Sequence, residues 1–219
     1  MYRLCFLIVI WIIRGGKMKK VFIAAALLFL NTSLAQANLI TNGSFETGTN
    51  PGNYTTLSTG SSSIQDWTIE SGSIDYIGTY WSAAQGARSI DMSGNGPGSI
   101  SQILSTTPGY KYLVEFSMGA NTDGGNLYKI LQVSAGSVFD DIFVSKKGPQ
   151  VTWSDKYFIF TANEASTKLT FTSLEDSAWG PALDNVRVNV NSAPIPPSVF
   201  LLATGLVGLF GIKRKKSIF

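Results

Sequence analysis

The segment Tyr110-Lys-Tyr-Leu-Val-Glu-Phe-Ser-Met118 carries the clearest structural signal in this chain. Every second residue in it is large and apolar: Tyr112, Val114, Phe116 and Met118. The residues between them include Lys111, Glu115 and Ser117. Successive side chains of a β-strand point to opposite faces of the sheet. The segment is therefore predicted to be a strand with one face in a core and the other in water.

Nine further segments are rich in β-branched and aromatic residues and are bounded by Gly, Ser, Asn, Asp or Pro. They are residues 63–70, 73–77, 88–92, 99–104, 127–135, 140–144, 153–161, 168–174 and 184–190. No window between residues 38 and 192 sustains helical spacing. Ten short strands predict an all-β fold, with a two-sheet jelly-roll β-sandwich as the expected packing. Trp67 and Trp153 lie within strand patterns and are predicted to be in the core.

The residues before the predicted sandwich form a leader, residues 1–37. Met18-Lys-Lys is followed by an apolar run and by Ala35-Gln-Ala37, the pattern of a secretory signal peptide cleaved after Ala37. Residues 1–17 are a second apolar stretch that such a signal does not need. We expect Met18 to be the true start. The alternative is an uncleaved N-terminal membrane helix.

Residues 193–219 form a tail of three parts. Pro194-Ile-Pro196 comes first, then the uncharged run 198–212, and then the cations Lys213, Arg214, Lys215 and Lys216. As a helix, the run would reach only about 22 Å of a hydrocarbon core roughly 30 Å thick. The layout resembles the PEP-CTERM sorting signal, with isoleucine in place of the central glutamate. That resemblance implies transient anchoring in the inner membrane and processing by an exosortase near Pro194.

The charge and composition of residues 38–192 exclude several functions. This region holds eight Lys and Arg against all 14 Asp and Glu, a net charge of −6, which would repel nucleic acid. The one cysteine, Cys5, lies in the leader, and the chain has no histidine. A thiol nucleophile, a Ser-His-Asp triad and histidine zinc ligands are therefore excluded from the domain.

The last predicted strand places a carboxylate on its apolar face. By the period of two, Asp184 shares a face with Val186, Val188 and Val190. A buried carboxylate is costly unless something pairs with it. One hypothesis is a structural calcium ion held by Asp184, Glu46 and backbone carbonyls. The other is that Asp184 caps backbone amides in the turn at residues 180–183.

Several motifs in order resemble the choice-of-anchor C family, exported bacterial domains related to a plant cell-wall family. These motifs are residues 38–46, 73–78, Trp81, 86–92, 98–102 and 180–186. The resemblance covers residues 38–190 and implies a galactose-binding-like jelly roll, as in many carbohydrate-binding modules. In those modules a Glu near the first strand and an Asp near the last hold a structural calcium. Glu46 and Asp184 stand at the matching positions.

Aromatic residues in loops indicate where a sugar would bind, because flat rings pack on the C–H faces of pyranoses. Tyr80, Trp81 and Trp179 lie in Gly- and Ser-rich sequence, and Tyr76 and Arg88 are expected to join them. The alternative for any one of these aromatics is that it closes an open end of the sandwich.

Paired acids raise the possibility of glycoside hydrolysis. Asp140 and Asp141 are neighbours on a strand and should point to opposite faces. Glu175 and Asp176 are predicted to be a solvated loop at a rim of the site. Gly94-Asn-Gly-Pro-Gly98 and Asp123-Gly-Gly125 lack the lysine and helix start of a phosphate loop and are predicted to be turns.

The sequence therefore predicts an exported, exosortase-sorted protein of the cell surface or extracellular matrix. Its sandwich is expected to bind exopolysaccharide or cell-wall glycan without catalysis, with calcium as a structural ion. The alternatives are a purely structural matrix or adhesion protein and an atypical glycoside hydrolase or lyase.

Overall fold

The computed structural model describes residues 8–14, 17–23 and 38–192. All the helices and strands assigned in these described ranges are strands, and none is a helix. No helix able to cross a membrane occurs in these ranges. The strands are β1 (Ile8–Arg14), β2 (Lys17–Ile23), β3 (Tyr54–Ser58), β4 (Thr68–Ser71), β5 (Ser73–Ile77), β6 (Ser89–Asp91), β7 (Ser99–Ser105), β8 (Lys111–Ala120), β9 (Tyr128–Ala135), β10 (Val138–Ser145), β11 (Ser154–Thr161), β12 (Ser166–Ser173) and β13 (Pro181–Ser192).

Two of the described strands lie within the predicted leader. β1 pairs antiparallel with β2, and Ile8 lies opposite Ile23. Residues 24–37, with the predicted cleavage site at Ala37, lie outside the described residues. So does the whole predicted sorting tail: Pro194, Pro196, the run 198–212, Lys213, Arg214, Lys215 and Lys216.

Residues 38–192 form a sandwich of two antiparallel sheets. The first has five strands in the order β10-β9-β12-β7-β4, and the second has six in the order β11-β8-β13-β6-β5-β3. Many neighbours in each sheet are far apart in sequence, so the chain crosses repeatedly between the sheets. The predicted all-β sandwich is confirmed.

The core lies between the two sheets, and β8 contributes one whole face to it. The four alternating residues of β8 predicted to face inward are each at most 2% exposed. Phe116 packs edge-on against Phe171 of β12 in the opposite sheet, with ring centroids 5.3 Å apart. Burying a side chain of this size stabilises the fold by roughly 1.5–3 kcal/mol. The period of two thus predicts the buried face of β8 correctly.

All ten predicted strands overlap an observed strand, but two details differ. β3 was not predicted because only Leu57 among its five residues is buried, so it has no apolar alternation. β4 begins at Thr68 rather than at Ser63. Asp66 just before it has a φ of 66°, a left-handed turn conformation that interrupts an extended strand.

The two tryptophans predicted to be in the core differ in position. Trp67 is 4% exposed and packs on Phe45, with ring centroids 5.2 Å apart. Trp153 is only half-buried and immediately precedes β11. Its indole N–H donates to the Ser82 carbonyl at 2.9 Å. The core assignment of Trp153 is therefore wrong, because this ring packs beside a loop rather than between the sheets.

Candidate functional site

A row of polar side chains crosses three strands of the six-stranded sheet. Thr56 on β3 lies opposite Asp75 on β5, and Asp75 lies opposite Asp91 on β6. Opposed residues share a face, and the preceding residues Ile74 and Ile90 are fully buried in the core. The row therefore lies on the sheet face directed away from the core. Thr56 Oγ1 donates to Asp75 Oδ1 at 2.6 Å.

Asp91 forms the buried base of this row and is 1% exposed. Its Oδ1 accepts the backbone N–H groups of Ser93 and Gly180, both at 3.0 Å. Its Oδ2 accepts Asn121 Nδ2 at 2.7 Å. Burial raises the pKa of Asp91 to about 7, although these hydrogen bonds oppose the shift and the charge of Asp75 adds to it. Asp91 is thus a carboxyl group that titrates near neutral pH.

Four aromatic side chains stand around the polar row. The ring of Tyr80 meets Tyr54 edge-on at 5.3 Å and lies 5.7 Å from the ring of Trp81. The Tyr80 hydroxyl donates to Asp123 Oδ2 at 2.8 Å, which holds the ring in place. Tyr54, Tyr80 and Trp179 are 48%, 45% and 42% exposed. Each of these side chains is therefore partly accessible to a ligand.

The rings and the polar row enclose a cleft of about 230 Å³. The cleft is lined by Tyr54, Thr56, Asp75, Ile77, Tyr80, Trp81, Asp91, Gly94, Asn95, Asn121, Asp123, Ala178 and Trp179. Flat apolar faces beside a few polar groups are the usual composition of a small-molecule site. Carboxylates and amides at such a site accept and donate the hydrogen bonds of sugar hydroxyls.

The structure brings together three of the five side chains that the sequence proposed for ligand binding. Tyr80, Trp81 and Trp179 all line the cleft, although Trp179 is almost a hundred residues from the other two in sequence. Trp81 is held by a hydrogen bond from its indole N–H to Ser89 Oγ at 2.9 Å. Tyr54 is a fourth ring that sequence reasoning missed, because β3 itself was not predicted.

The other two proposed ligand-binding residues lie outside the cleft lining. Tyr76 is opposite Ile90 and shares its core face, so it points away from the cleft. Its hydroxyl donates to the Phe45 carbonyl at 2.6 Å. Arg88 Nη1 donates to that hydroxyl at 2.7 Å and to the Gly48 carbonyl at 3.1 Å. The structure thus places Tyr76 and Arg88 in a network that ties residues 45–48 to the sheet.

A buried ion pair supports the loop beneath Trp179. Lys129 Nζ lies 3.7 Å from Glu175 Oε2, and the two side chains are 0% and 2% exposed. Lys129 also donates to the carbonyls of Gly124 and Trp179. Burial lowers the pKa of Lys129, and the charge of Glu175 opposes that shift. The prediction that Glu175 is a solvated residue is wrong, because Lys129 pairs with it inside the fold.

The sequence does contain a signal for this lysine. Lys129 occupies the same alternating face of β9 as Leu131, Val133 and Ala135, all of which are buried. A cation in a core-facing position requires an internal partner. The alternation along β9 was therefore sufficient to predict that Lys129 is buried. The identity of its partner, Glu175, could be found only from the tertiary structure.

A β-bulge overturns the predicted direction of Asp184. Asp184 lies opposite Ser117 and Arg187 lies opposite Glu115, so two residues of β13 stand against one of β8. Asn185 within the bulge has a φ of 52°. The extra residue reverses the alternation, so Asp184 lies on the outer face while the valines after it face the core. Asp184 is nevertheless fully buried, because a loop covers it.

The covering loop is bound by both carboxylates proposed for calcium. Asp184 Oδ2 accepts the backbone N–H of Gln85 at 2.8 Å. Glu46 Oε1 accepts the N–H groups of Ala87 and Arg88, both at 2.8 Å. Asp184 does cap backbone amides, but in the loop before β6 rather than in the turn at residues 180–183.

These two acids partly fit a calcium site. Burial raises the pKa of Asp184 to about 6, and the nearby charge of Glu46 contributes to the shift. Two carboxylates close enough to repel each other would both be stabilised by a cation between them. In the described ranges, however, no group of three or more His, Cys, Asp or Glu could hold a metal ion. Backbone carbonyls and water would have to supply the remaining oxygen ligands of the six to eight that calcium takes.

The acid pair on β10 has the geometry expected from a strand. Asp140 lies opposite Val133 and Asp141 lies opposite Gln132, so the two carboxylates point to opposite faces. Asp141 Oδ1 accepts Gln132 Nε2 at 3.0 Å. Neither residue lines the cleft.

Two curated proteins with similar sequences are longer than this chain. It is 34% identical over 184 residues to Halomucin of Haloquadratum walsbyi, a match that covers 80% of this chain and 2% of that protein. It is 29% identical over 171 residues to Protein DUF642 L-GALACTONO-1,4-LACTONE-RESPONSIVE GENE 1 of Arabidopsis thaliana, covering 69% of this chain and 45% of that protein. The chain thus spans less than half the length of either relative.

Solved structures include similar domains of low sequence identity. The CBM22-1 xylan-binding domain of Xyn10C from Paenibacillus barcinonensis has a TM-score of 0.48 and 17% identity, covering 73% of this chain and 98% of that domain. The model of the family described as "Protein of unknown function (DUF642)" matches residues 38–189, which include the whole cleft and all of both sandwich sheets except the last three residues of β13. This chain therefore belongs to the DUF642 family.

Proposed function

We propose that the sandwich binds carbohydrate without chemical change, through the cleft formed around Tyr80, Trp81 and Trp179. The observation that carries the proposal is the combination of exposed, fixed aromatic rings with a row of carboxylates and amides in one cleft. Ring faces give a pyranose apolar contact, and the polar row gives its hydroxyls hydrogen-bond partners.

The side chains of the cleft are already held in place before a ligand binds, which favours binding. Thr56, Asp75 and Asp91 stand on paired strands, and hydrogen bonds hold the side chains of Tyr80 and Trp81. A site whose side chains are already fixed loses little entropy when a ligand binds. Because the cleft of about 230 Å³ is below the usual range of roughly 300–1,000 Å³ for ligand sites, it suits a short segment of a glycan chain.

The arrangement of the acids supports binding rather than hydrolysis. A glycosidase needs a carboxylic acid that reaches the glycosidic oxygen and a second carboxylate across the bond. Asp91 has the raised pKa of a general acid, but it is 1% exposed and both of its oxygens accept hydrogen bonds within the fold. Asp91 therefore has a structural role at the bottom of the cleft.

Gel retardation on polysaccharides tests the proposal. The full-length chain should be retarded by at least one neutral, amino-containing or acidic polysaccharide in a broad panel. Trp179→Ala should remove the retardation. Tyr157→Ala is the matched control, since Tyr157 is 70% exposed on β11 and lies outside the cleft. If no glycan retards the chain, the proposal fails and a structural matrix or adhesion role is favoured.

We also propose that this is an exported protein of the choice-of-anchor C type, displayed at the cell surface or in the extracellular matrix. The signal-peptide pattern at residues 18–37 and the tail layout support this. In this proposal an exosortase recognises Pro194 and Pro196 while the basic end holds the tail transiently at the inner membrane. Substituting both prolines by alanine should retain the protein in the membrane fraction. Release at the wild-type rate would overturn the sorting proposal.

A structural calcium ion is the third part of the proposal. Glu46 and Asp184 would hold it beside the loop at residues 84–88, where Glu46 Oε2 accepts no hydrogen bond from any described residue. The ion would neutralise two nearby carboxylates and fix the loop that leads into β6. Its test is the response of the melting temperature to a chelator, given in the Discussion.

A further inference from the structure

All the ionisable carboxyl or basic side chains that line the cleft are acids. Its lining includes Asp75, Asp91 and Asp123 and contains no lysine or arginine. Two lysines that bond the loops carrying Asp123 and Trp179 have partners outside the cleft. Lys129 is fully buried and pairs with Glu175, and Lys146 donates to the carbonyls of Gly124 and Gly125. No cation of the described residues therefore faces a ligand in the cleft.

Two of the three acids have an oxygen that can receive a ligand's proton donor. Asp75 Oδ1 accepts Thr56 Oγ1, and Asp123 Oδ2 accepts the Tyr80 hydroxyl. The second oxygen of each, Asp75 Oδ2 and Asp123 Oδ1, accepts no hydrogen bond from the described residues. The two aspartates both line the cleft and come from different elements, Asp75 from β5 and Asp123 from the loop after β8.

The aromatic rings add to the same preference. The face of a tyrosine or tryptophan ring carries partial negative charge and attracts cations. Tyr54, Tyr80 and Trp179 line the cleft, and each is more than two fifths exposed. A positively charged group placed between these rings and the two aspartates would be attracted by both.

We infer that the cleft selects glycans that carry protonated amino groups, of the glucosamine type, over neutral sugars, and rejects glycans of uronic acids. This inference rests on the proposed carbohydrate-binding function and adds the class of sugar. An ammonium group would pair with Asp75 and Asp123, whereas a uronate would face these two carboxylates with no arginine or lysine to receive it.

Three oligosaccharides of equal length test the inference by calorimetry on the full-length chain. These are a glucosamine tetramer, an N-acetylglucosamine tetramer and a galacturonic acid tetramer. We expect the glucosamine tetramer to bind at least about tenfold more tightly than the N-acetylated one, the effect of one charge-assisted hydrogen bond of about 1.4 kcal/mol. The galacturonate tetramer should not bind. Added salt should weaken glucosamine binding, because the exposed charges are screened.

Variants distinguish the effect of the acids in the cleft from the effect of the domain's overall negative charge. Asp75→Asn and Asp123→Asn should each weaken glucosamine binding by a much larger factor than N-acetylglucosamine binding, so that most of the preference for glucosamine is lost. Asp141→Asn is the control, because Asp141 is an exposed acid on the other sheet. Equal loss in all three variants would mean that net charge alone attracts the amino sugar, which overturns the inference.

The outcomes also separate the inference from the proposed function. Tighter binding of the N-acetylated or uronic acid tetramer overturns the inference but leaves carbohydrate binding in place. Absence of binding to these tetramers and to every polysaccharide in the gel panel overturns both. Melting temperatures within a few degrees of wild type exclude misfolding as the cause of a loss.

Discussion

The indole ring of Trp179 lies on the backbone of Gly124, so closely that a Cβ atom at position 124 would stand 2.5 Å from Trp179 Cδ2. Gly124 belongs to the loop after β8, and Trp179 precedes β13. Contact between these loops sets the orientation of one cleft wall. The glycine is needed here for close approach and not for its backbone angles.

Gly124→Ala should therefore impair glycan binding. The added methyl group must displace the Trp179 ring, and we expect affinity for a bound glycan to fall about tenfold or more, measured by calorimetry. Gly96→Ala is the control, because a Cβ at position 96 would meet no atom within 4 Å. Unchanged affinity in Gly124→Ala would mean that the ring position does not matter to binding.

The stability of the domain should rise as the pH is lowered from about 8 to about 5 in the presence of a chelator. Asp91 and Asp184 have pKa values raised to about 7 and about 6, whereas unfolded aspartate titrates near 3.9. Below these raised values the folded state binds protons that the unfolded state does not, so protonation stabilises the fold. This stabilisation is complete below about pH 4 and is lost as the pH rises through 6 and 7.

Thermal melts across this pH range provide the measurement. Asp91→Asn should flatten the dependence, because an amide has no proton to lose and can still accept the two backbone N–H groups. Each unit of pKa shift corresponds to about 1.4 kcal/mol, so the effect should reach a few kcal/mol between the two ends of the range. A melting temperature that falls steadily on acidification would contradict the raised pKa values.

Calcium, if it binds as proposed, should raise the melting temperature and change its pH dependence. A cation beside Asp184 favours the charged form of that residue, so it lowers the pKa of Asp184 and removes that residue's part of the stabilisation at low pH. Adding EDTA should lower the melting temperature of the wild type at pH 8 and leave Asp184→Asn unaffected. An unchanged melting temperature of the wild type on addition of EDTA would contradict the calcium proposal.

The buried Lys129–Glu175 pair should matter far more than an exposed one. Lys129→Met leaves Glu175 as an unpaired charge inside the fold, at a cost of about 3–5 kcal/mol in the free energy of unfolding. Lys168 and Glu70 form a closer contact at 2.9 Å, but their side chains are 51% and 32% exposed. Lys168→Met should cost under about 1 kcal/mol. Urea denaturation of both variants compares the two, and equal costs would contradict the assignment of Lys129 as a buried cation.

Strand positions and the core face were predictable because they depend on local alternation. Tyr112 and Phe116 on β8 are buried as the period of two requires, and the same rule applied to β9 would have marked Lys129 as buried. The rule failed at Asp184, where one extra residue in a bulge shifts the register. A bulge depends on how β13 meets its neighbour β8, so alternation within β13 alone does not predict it.

The cleft could be identified only from the tertiary structure. Tyr54, Tyr80 and Trp179 come from β3 and from two loops, and only sheet order and register bring them to one face. From composition and pattern alone, the sequence determined an acidic, histidine-free domain of short strands with aromatic residues in its loops, since those properties are local. Pairing between strands far apart in the chain decided which aromatic rings lie beside which acids. Opposed residues on neighbouring strands share a face whatever their distance in sequence.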